Sequence, residues 1–173
     1  MGLMGLMGPP ARAEGVELAT LDLVLQEGGL SLDFAVLVRL PPVVEDALQR
    51  GVPVYFVAEA VLLRRRWYWR DERVARVRRQ WRVAYQPLTG TWRVGLGGFN
   101  QTVPTLGEAL ATISRSSGWV LAERGVVDNS SRYRVEFAWR LDTTQLPGPM
   151  QFGLGGASDW AVGVTRTLAL ERE

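Results

Sequence analysis

Apolar residues recur at every second position along much of the chain. From Leu30 to Leu40 each even position is apolar (Leu30, Leu32, Phe34, Val36, Val38, Leu40), while the odd positions include Ser31, Asp33 and Arg39. That alternation predicts a strand with one buried face. The run Val16 to Leu25 precedes it across Gln26-Glu27-Gly28-Gly29, a turn signal, so the two form a hairpin. Tyr133, Val135, Phe137, Trp139 and Leu141 repeat the pattern against Arg132, Arg134, Glu136, Arg140 and Asp142. Trp160, Val162, Val164, Leu168 and Leu170 repeat it near the C-terminus. Helical spacing interrupts the strands twice. Pro41-Pro42 leads into Val43-Val44-Glu45-Asp46-Ala47-Leu48, with acids in the first turn and Gly51 as the stop. Thr105-x-x-Glu108 is a capping box ahead of an apolar face of Leu106, Ala109, Leu110 and Ile113. About eight strands and two short helices read as a mainly β fold, an antiparallel β-sandwich with helical connections.

The longest alternating stretch is also the most basic. Val52 to Trp69 and Val74 to Tyr85 flank Arg70-Asp71-Glu72-Arg73, although Val74, Val77 and Trp81 also fit helical spacing. If Arg70 faces Val74 around a three-residue turn, Trp69 meets Ala75, Trp67 meets Val77, Leu63 meets Trp81 and Val61 meets Val83. Arg65 opposite Arg79 is then the one unfavourable pair. The other face collects Arg64, Arg66, Tyr68, Arg70, Arg76, Arg78 and Arg82, and a slip by one residue would mix the two faces. Two readings stand side by side. Trp67, Trp69 and Trp81 are core or cross-strand contacts with a solvated arginine face behind them, or the arginines, Tyr68, Trp67 and Trp69 form an anion-binding strip. Arg offers paired donors to phosphate or carboxylate and stacks on rings, and arginines with aromatics on a sheet also suit single-stranded nucleic acid.

Composition narrows the chemistry. The 173 residues contain no His and no Cys, and all 20 basic residues are Arg. Zinc sites of the usual N/S type, Cys nucleophiles, disulfides, Ser-His-Asp relays, P-loops and Schiff bases are therefore excluded. The missing Lys matches the Ala, Gly, Arg, Val and Leu bias of a GC-rich genome and carries no chemistry. Nine Arg between Arg64 and Arg82 stand against Asp71 and Glu72, a net of +7; with +2 overall, the remainder carries −5. A chain this long buries roughly 70% of its unfolded surface, enough for one core without staples.

Met1 to Met7 is a Gly-diluted apolar run followed by Pro9-Pro10 and Ala11-Arg12-Ala13, a small-x-small pattern. It predicts the remnant of a secretory signal over 1–13, with a single domain over 14–173 in the periplasm or cell envelope and no membrane span after its removal. Gly95-Leu96-Gly97-Gly98 and Gly153-Leu154-Gly155-Gly156 repeat a tetrapeptide without completing a dinucleotide fingerprint. Asn129-Ser130-Ser131 and Asn100-Gln101-Thr102 match the short glycosylation acceptor pattern. Asp71-Glu72 reads as turn and cap chemistry rather than an acid/base pair.

Several separated blocks resemble domain of unknown function family 4390. They are Arg50-Gly51-Val52-Pro53-Val54-Tyr55-Phe56, Arg66-Trp67-Tyr68-Trp69-Arg70-Asp71-Glu72, Trp81-Arg82-Val83-Ala84-Tyr85 with Trp92-Arg93-Val94, Leu106-x-Glu108-Ala109-Leu110, Gly118-Trp119, and Arg140-Leu141-Asp142-Thr143-x-Gln145-Leu146-Pro147. Gly148 departs from the family's usual Lys. The resemblance implies an exported or envelope protein of proteobacteria, with no activity attached and a gene that tends to neighbour a two-component sensor kinase. The expectation is a non-enzymatic binding or accessory module, without metal or cofactor. Its hairpin would contact an anionic envelope ligand such as a lipid headgroup or glycan, or an acidic protein face, and its module is a candidate signalling input. The alternatives are a carboxylate enzyme acting on glycans through acids such as Glu59 or Glu136, or a cytoplasmic nucleic-acid-binding protein if the N-terminus is not a signal.

Overall fold

A computed structural model describes residues 6–7, 15–148 and 157–170. Ten strands run in it: β1 (Leu6–Met7), β2 (Val16–Gln26), β3 (Gly29–Val38), β4 (Val54–Arg64), β5 (Glu72–Gln86), β6 (Thr91–Leu96), β7 (Phe99–Val103), β8 (Arg115–Ala122), β9 (Tyr133–Leu141) and β10 (Gly163–Leu170). Two helices, α1 (Pro42–Gln49) and α2 (Leu106–Ile113), interrupt them. The strands form two antiparallel sheets. The larger has the order β1-β10-β9-β4-β5-β6-β7 and the smaller β2-β3-β8. The arrangement is sandwich-like, as the alternation predicts. The expected signal remnant over 1–13 lies outside the described residues apart from Leu6–Met7, and so does the Gly153–Gly156 repeat.

The β2–β3 hairpin forms where the sequence places it. Its turn residues Glu27 and Gly28 both have positive φ, 53° and 73°, the conformation that matches the twist of a two-residue hairpin. A Cβ on Gly28 would also lie 2.9 Å from the Gly125 backbone, so the glycine serves both the turn and the close approach of the loop after β8. The even residues Leu30, Leu32, Phe34 and Val36 face inward and are buried. Phe34 reaches the opposite layer, its ring 5.1 Å from Phe137, and lies 6.1 Å from the ring of Trp119 on β8 of its own sheet. Tyr133, Val135, Phe137, Trp139 and Leu141 of β9 are all buried, as are Val164, Leu168 and Leu170 of β10.

Each helix carries the chain between the two sheets. Pro42 opens α1 at its first turn, and Val44, Ala47 and Leu48 form its buried face. The Thr105 hydroxyl accepts from the Glu108 backbone N–H at 3.1 Å, capping α2 as the motif predicts. Ala109 and Ile113 are its buried residues. The smaller sheet does not cover the larger one completely: β8 crosses β4 and β5, and β2 lies near β10. Strands β6 and β7 meet α2 instead. That mismatch leaves space at one end of the inner face.

The β4–β5 hairpin departs from expectation in register and in length. Val54 pairs with Val83, Phe56 with Trp81 and Ala60 with Val77, seven positions away from the expected pairing of Val61 with Val83. Because seven is odd, the inner face of β4 is Phe56, Ala58, Ala60 and Leu62 rather than Val61 and Leu63. β4 is apolar on both sides, being central between β5 and β9, so alternation alone does not specify its face. Strand β4 ends at Arg64, and the aromatic block expected to extend it forms the connecting loop, 65–71. Beyond Leu62 a bulge in β5 at Val74 shifts the register once more, placing Leu63 opposite Arg73 and Arg64 opposite Glu72.

Candidate functional site

The loop ends of β4–β5 and of β8–β9 lie together at one end of the sandwich, because Tyr133, the first residue of β9, pairs with Arg64, the last of β4. The Arg65 N–H donates to the Arg132 carbonyl at 2.8 Å, fastening the two loops. Between them lies a cleft of about 630 Å³ lined by Arg65, Arg66, Trp67, Ser130, Ser131 and Arg132. Trp67 is 93% exposed, Tyr68 64% and Trp69 69%. The Trp67 and Tyr68 rings meet edge to face at 5.3 Å. Three aromatics left in water, amid arginines, are the strongest departure of this surface from an ordinary solvated one.

Beneath the tip, charges are paired. Arg64 donates through Nε and Nη2 to the Tyr133 hydroxyl at 3.2 and 3.1 Å and through Nη1 to Glu72 at 3.1 Å. Arg66 meets the same Glu72 carboxylate at 2.9 Å. The Arg66 hydrogen bond, aided by the charges of Arg66 and Arg64 and opposed by desolvation, holds the Glu72 carboxyl below its ordinary range. Asp128 accepts from the backbone N–H groups of Ser130 and Ser131 and from the Ser130 hydroxyl, at 2.9 to 3.0 Å. Desolvation pushes its carboxyl up, but these bonds together outweigh it and leave it below the usual range. Both acids thus hold the loops' shape, and Glu72 does not act as the turn or cap residue expected of Asp71-Glu72. Asp71 instead pairs with Arg134 on β9.

The expected strip of nine residues is divided among three places. Trp67, Tyr68 and Trp69 form the exposed tip, with Arg66 beside them and Arg64 below. Arg70, with Asp71, overhangs the outer face of the large sheet, closing a groove of about 610 Å³ with Glu59, Val61, Leu63, Arg73, Arg76, Arg134 and Glu136. Arg76, Arg78 and Arg82 lie on that outer face. Arg76 pairs with Glu59 at 2.8 Å and Arg78 with the buried Asp142 at 3.4 Å, whereas Arg82 has no ion-pair partner among the described residues. The groove brings Glu59 and Glu136 together, the two acids of the enzymatic alternative. Each is engaged by an arginine, Glu136 by Arg134 at 3.3 Å.

Sequence reasoning missed Arg65 and Arg132 as members of the tip, and Ser130 and Ser131 as its hydroxyls. Only the meeting of two loops more than sixty positions apart joins them. No group of His, Cys, Asp or Glu suited to a metal ion occurs among the described residues. No helix there is long and apolar enough to cross a membrane.

A family model described as a domain of unknown function, DUF4390, matches residues 13–169. The chain belongs to this family. The match takes in every strand from β2 to β9, the tip and the outer groove, so the tip is part of the family's domain rather than an addition to it. No curated protein and no solved structure matches the chain.

Proposed function

We propose that this DUF4390 protein is a non-enzymatic binding module of the bacterial envelope, an accessory or signalling-input component that engages an anionic surface through its β4–β5 tip. The observation that carries the reading is the tip itself: Trp67, Tyr68 and Trp69 stand in solvent above a cleft lined by Arg65, Arg66 and Arg132. No carboxylate lines that cleft. Arginine forks suit phosphate oxygens, and Trp and Tyr favour the level of lipid headgroups, where one edge of the ring is apolar and the other wet. A membrane surface rich in anionic lipid satisfies both halves of the loop at once. The outer arginine face contributes less, because Arg76 and Arg78 already hold acids.

Vesicle flotation tests this with the full chain. The protein should float with phosphatidylglycerol-containing vesicles and remain in solution with phosphatidylcholine alone. Each lipid-proximal Arg is worth about 1 kcal/mol near such a surface, so Arg65→Ser with Arg132→Ser should weaken flotation on the order of tenfold or more, and Trp67→Ala with Trp69→Ala should abolish it. Replacing Arg78 and Arg82 by Ser should change it little. Equal flotation of parent and tip variants would sink the proposal, and retention instead on an acidic glycan resin would redirect it to a saccharide partner.

A further inference from the structure

The inner face holds a second cleft, away from the tip, where the two layers fail to match. Strand β6 stops pairing with β5 at Trp81, whose partner is Leu96, and Leu96 in turn pairs with Phe99 of the edge strand β7. Trp81, Leu96 and Phe99 therefore form one row across three strands. Directly opposite residues share a face, so all three point inward, toward the side where the smaller sheet has ended and α2 begins. The cavity there is about 380 Å³, a size suited to a small ligand. Its apolar floor is Trp81, Val94, Leu96 and Phe99, and Phe99 is 85% exposed.

Two cations line this cavity, the inward Arg79 at its floor and the exposed Arg115 at its edge, and no Asp or Glu does. Arg79 occupies an inward position of β5 opposite Ala58, where an apolar side chain would be expected. Its guanidinium lies over the Trp119 ring at 4.9 Å and donates to the Ser116 hydroxyl at 2.6 Å. It has no ion-pair partner among the described residues. Burial holds its pKa below the ordinary arginine value, yet a guanidinium stays charged. A half-buried cation with a ring and a neutral hydroxyl as its only described partners is a position where an anion gains more than it would in water.

We propose that this cleft binds a single-chain amphipathic organic anion, its carboxylate or phosphate head between Arg79 and Arg115 and its apolar tail along Trp81, Leu96 and Phe99. The site is independent of the tip. Thr112 and Gln101 at its rim supply neutral hydrogen-bonding groups for the remaining head oxygens or for water. Because Phe99 lies on an edge strand at the rim, the tail has an open way in.

Titration calorimetry with the full chain tests the site, using dodecanoate, dodecyl phosphate and dodecyltrimethylammonium, each below its micellar concentration. At least one of the two anions should bind saturably at one per chain, and the cation should not. The tighter anion tells whether the head is a carboxylate or a phosphate. A charge-assisted bond is worth about 1.5–3 kcal/mol, so Arg79→Gln should weaken binding by roughly 10- to 100-fold. Phe99→Ser, at an exposed position whose loss leaves the core intact, should weaken it several-fold, which keeps the test decisive if Arg79→Gln disturbs the fold. Trp67→Ala and Trp69→Ala should leave it unchanged. Failure of both anions to bind saturably, equal binding of the cation, or parental affinity in Phe99→Ser together with Arg79→Gln would overturn the assignment.

Discussion

Individual side chains show where alternation is informative and where it is silent. Trp139 reads as a core residue from its place in the Tyr133–Leu141 pattern, and it is wholly buried. The pattern does not reveal that its indole N–H donates to the Ile113 carbonyl at 3.1 Å, joining β9 to the last residue of α2. Trp139→Phe should leave that carbonyl without its donor and open a small void, costing on the order of 2–4 kcal/mol; urea unfolding would show it as a lower midpoint at unchanged slope, and an unchanged midpoint would refute the role. Arg79 and Arg166 mark the opposite case. Arg166 pairs with the buried Phe137 and so faces inward between Val164 and Leu168, with its Nε buried and without a partner among the described residues. Two inward arginines in otherwise apolar rows break the period, and a sequence reading passes over them as exceptions. Asp142 was legible only as a polar position, yet it is 5% exposed and accepts from Arg78, Gln80 and both the backbone and hydroxyl of Thr144.

At the scale of elements, the capped helix and the β2–β3 hairpin were legible because local chemistry specifies them: a Thr-x-x-Glu box and a turn that accepts positive φ. The β4–β5 hairpin was not. Its register depends on a partner, β9, that flanks β4 on the other side, and an apolar strand buried on both faces accepts either parity. The tip consequently moved from a strand face to a loop, which exposes the aromatics instead of burying Trp67 and Trp69. Its shape rests on Glu72, whose lowered pKa gives the linkage a definite sign. A depressed folded-state value means the unfolded chain takes up the proton first as pH falls. The stabilisation is therefore complete near neutrality and is lost as pH drops below the ordinary glutamate range and through the lowered value. Tryptophan emission of the tip, or exchange of its amides, should report loosening in that acidic window; Glu72→Gln should show a loosened tip already at neutral pH and a smaller acid transition, the remainder belonging to Asp128.

For the whole molecule, the two sheets share one core, since Phe34 of the smaller meets Phe137 of the larger. Unfolding should be a single cooperative event, and Phe34→Ala, costing roughly 3–5 kcal/mol, should lower the melting of both sheets together by near- and far-ultraviolet circular dichroism. Two separated transitions would show that the layers are independent. Charge is also organised at this scale: the basic excess of Arg64–Arg82 is spread over the tip, the outer face and the inner cleft, and the acids Glu59, Glu72 and Asp142 neutralise part of it. By itself the sequence determined the mainly β class, the two helices with their starts, most inward positions, the family and the absence of His, Cys and Lys chemistry. The family rests on separated blocks of matching residues, and the rest follows from short-range periodicity, capping or residue inventory. Only the tertiary structure decided which arginines are left unpaired, that the Trp67–Trp69 block stands in solvent, and that Arg79 faces an apolar cleft. Those properties depend on the pairing of strands distant in the chain and on the smaller sheet covering only part of the larger, and no local pattern records either.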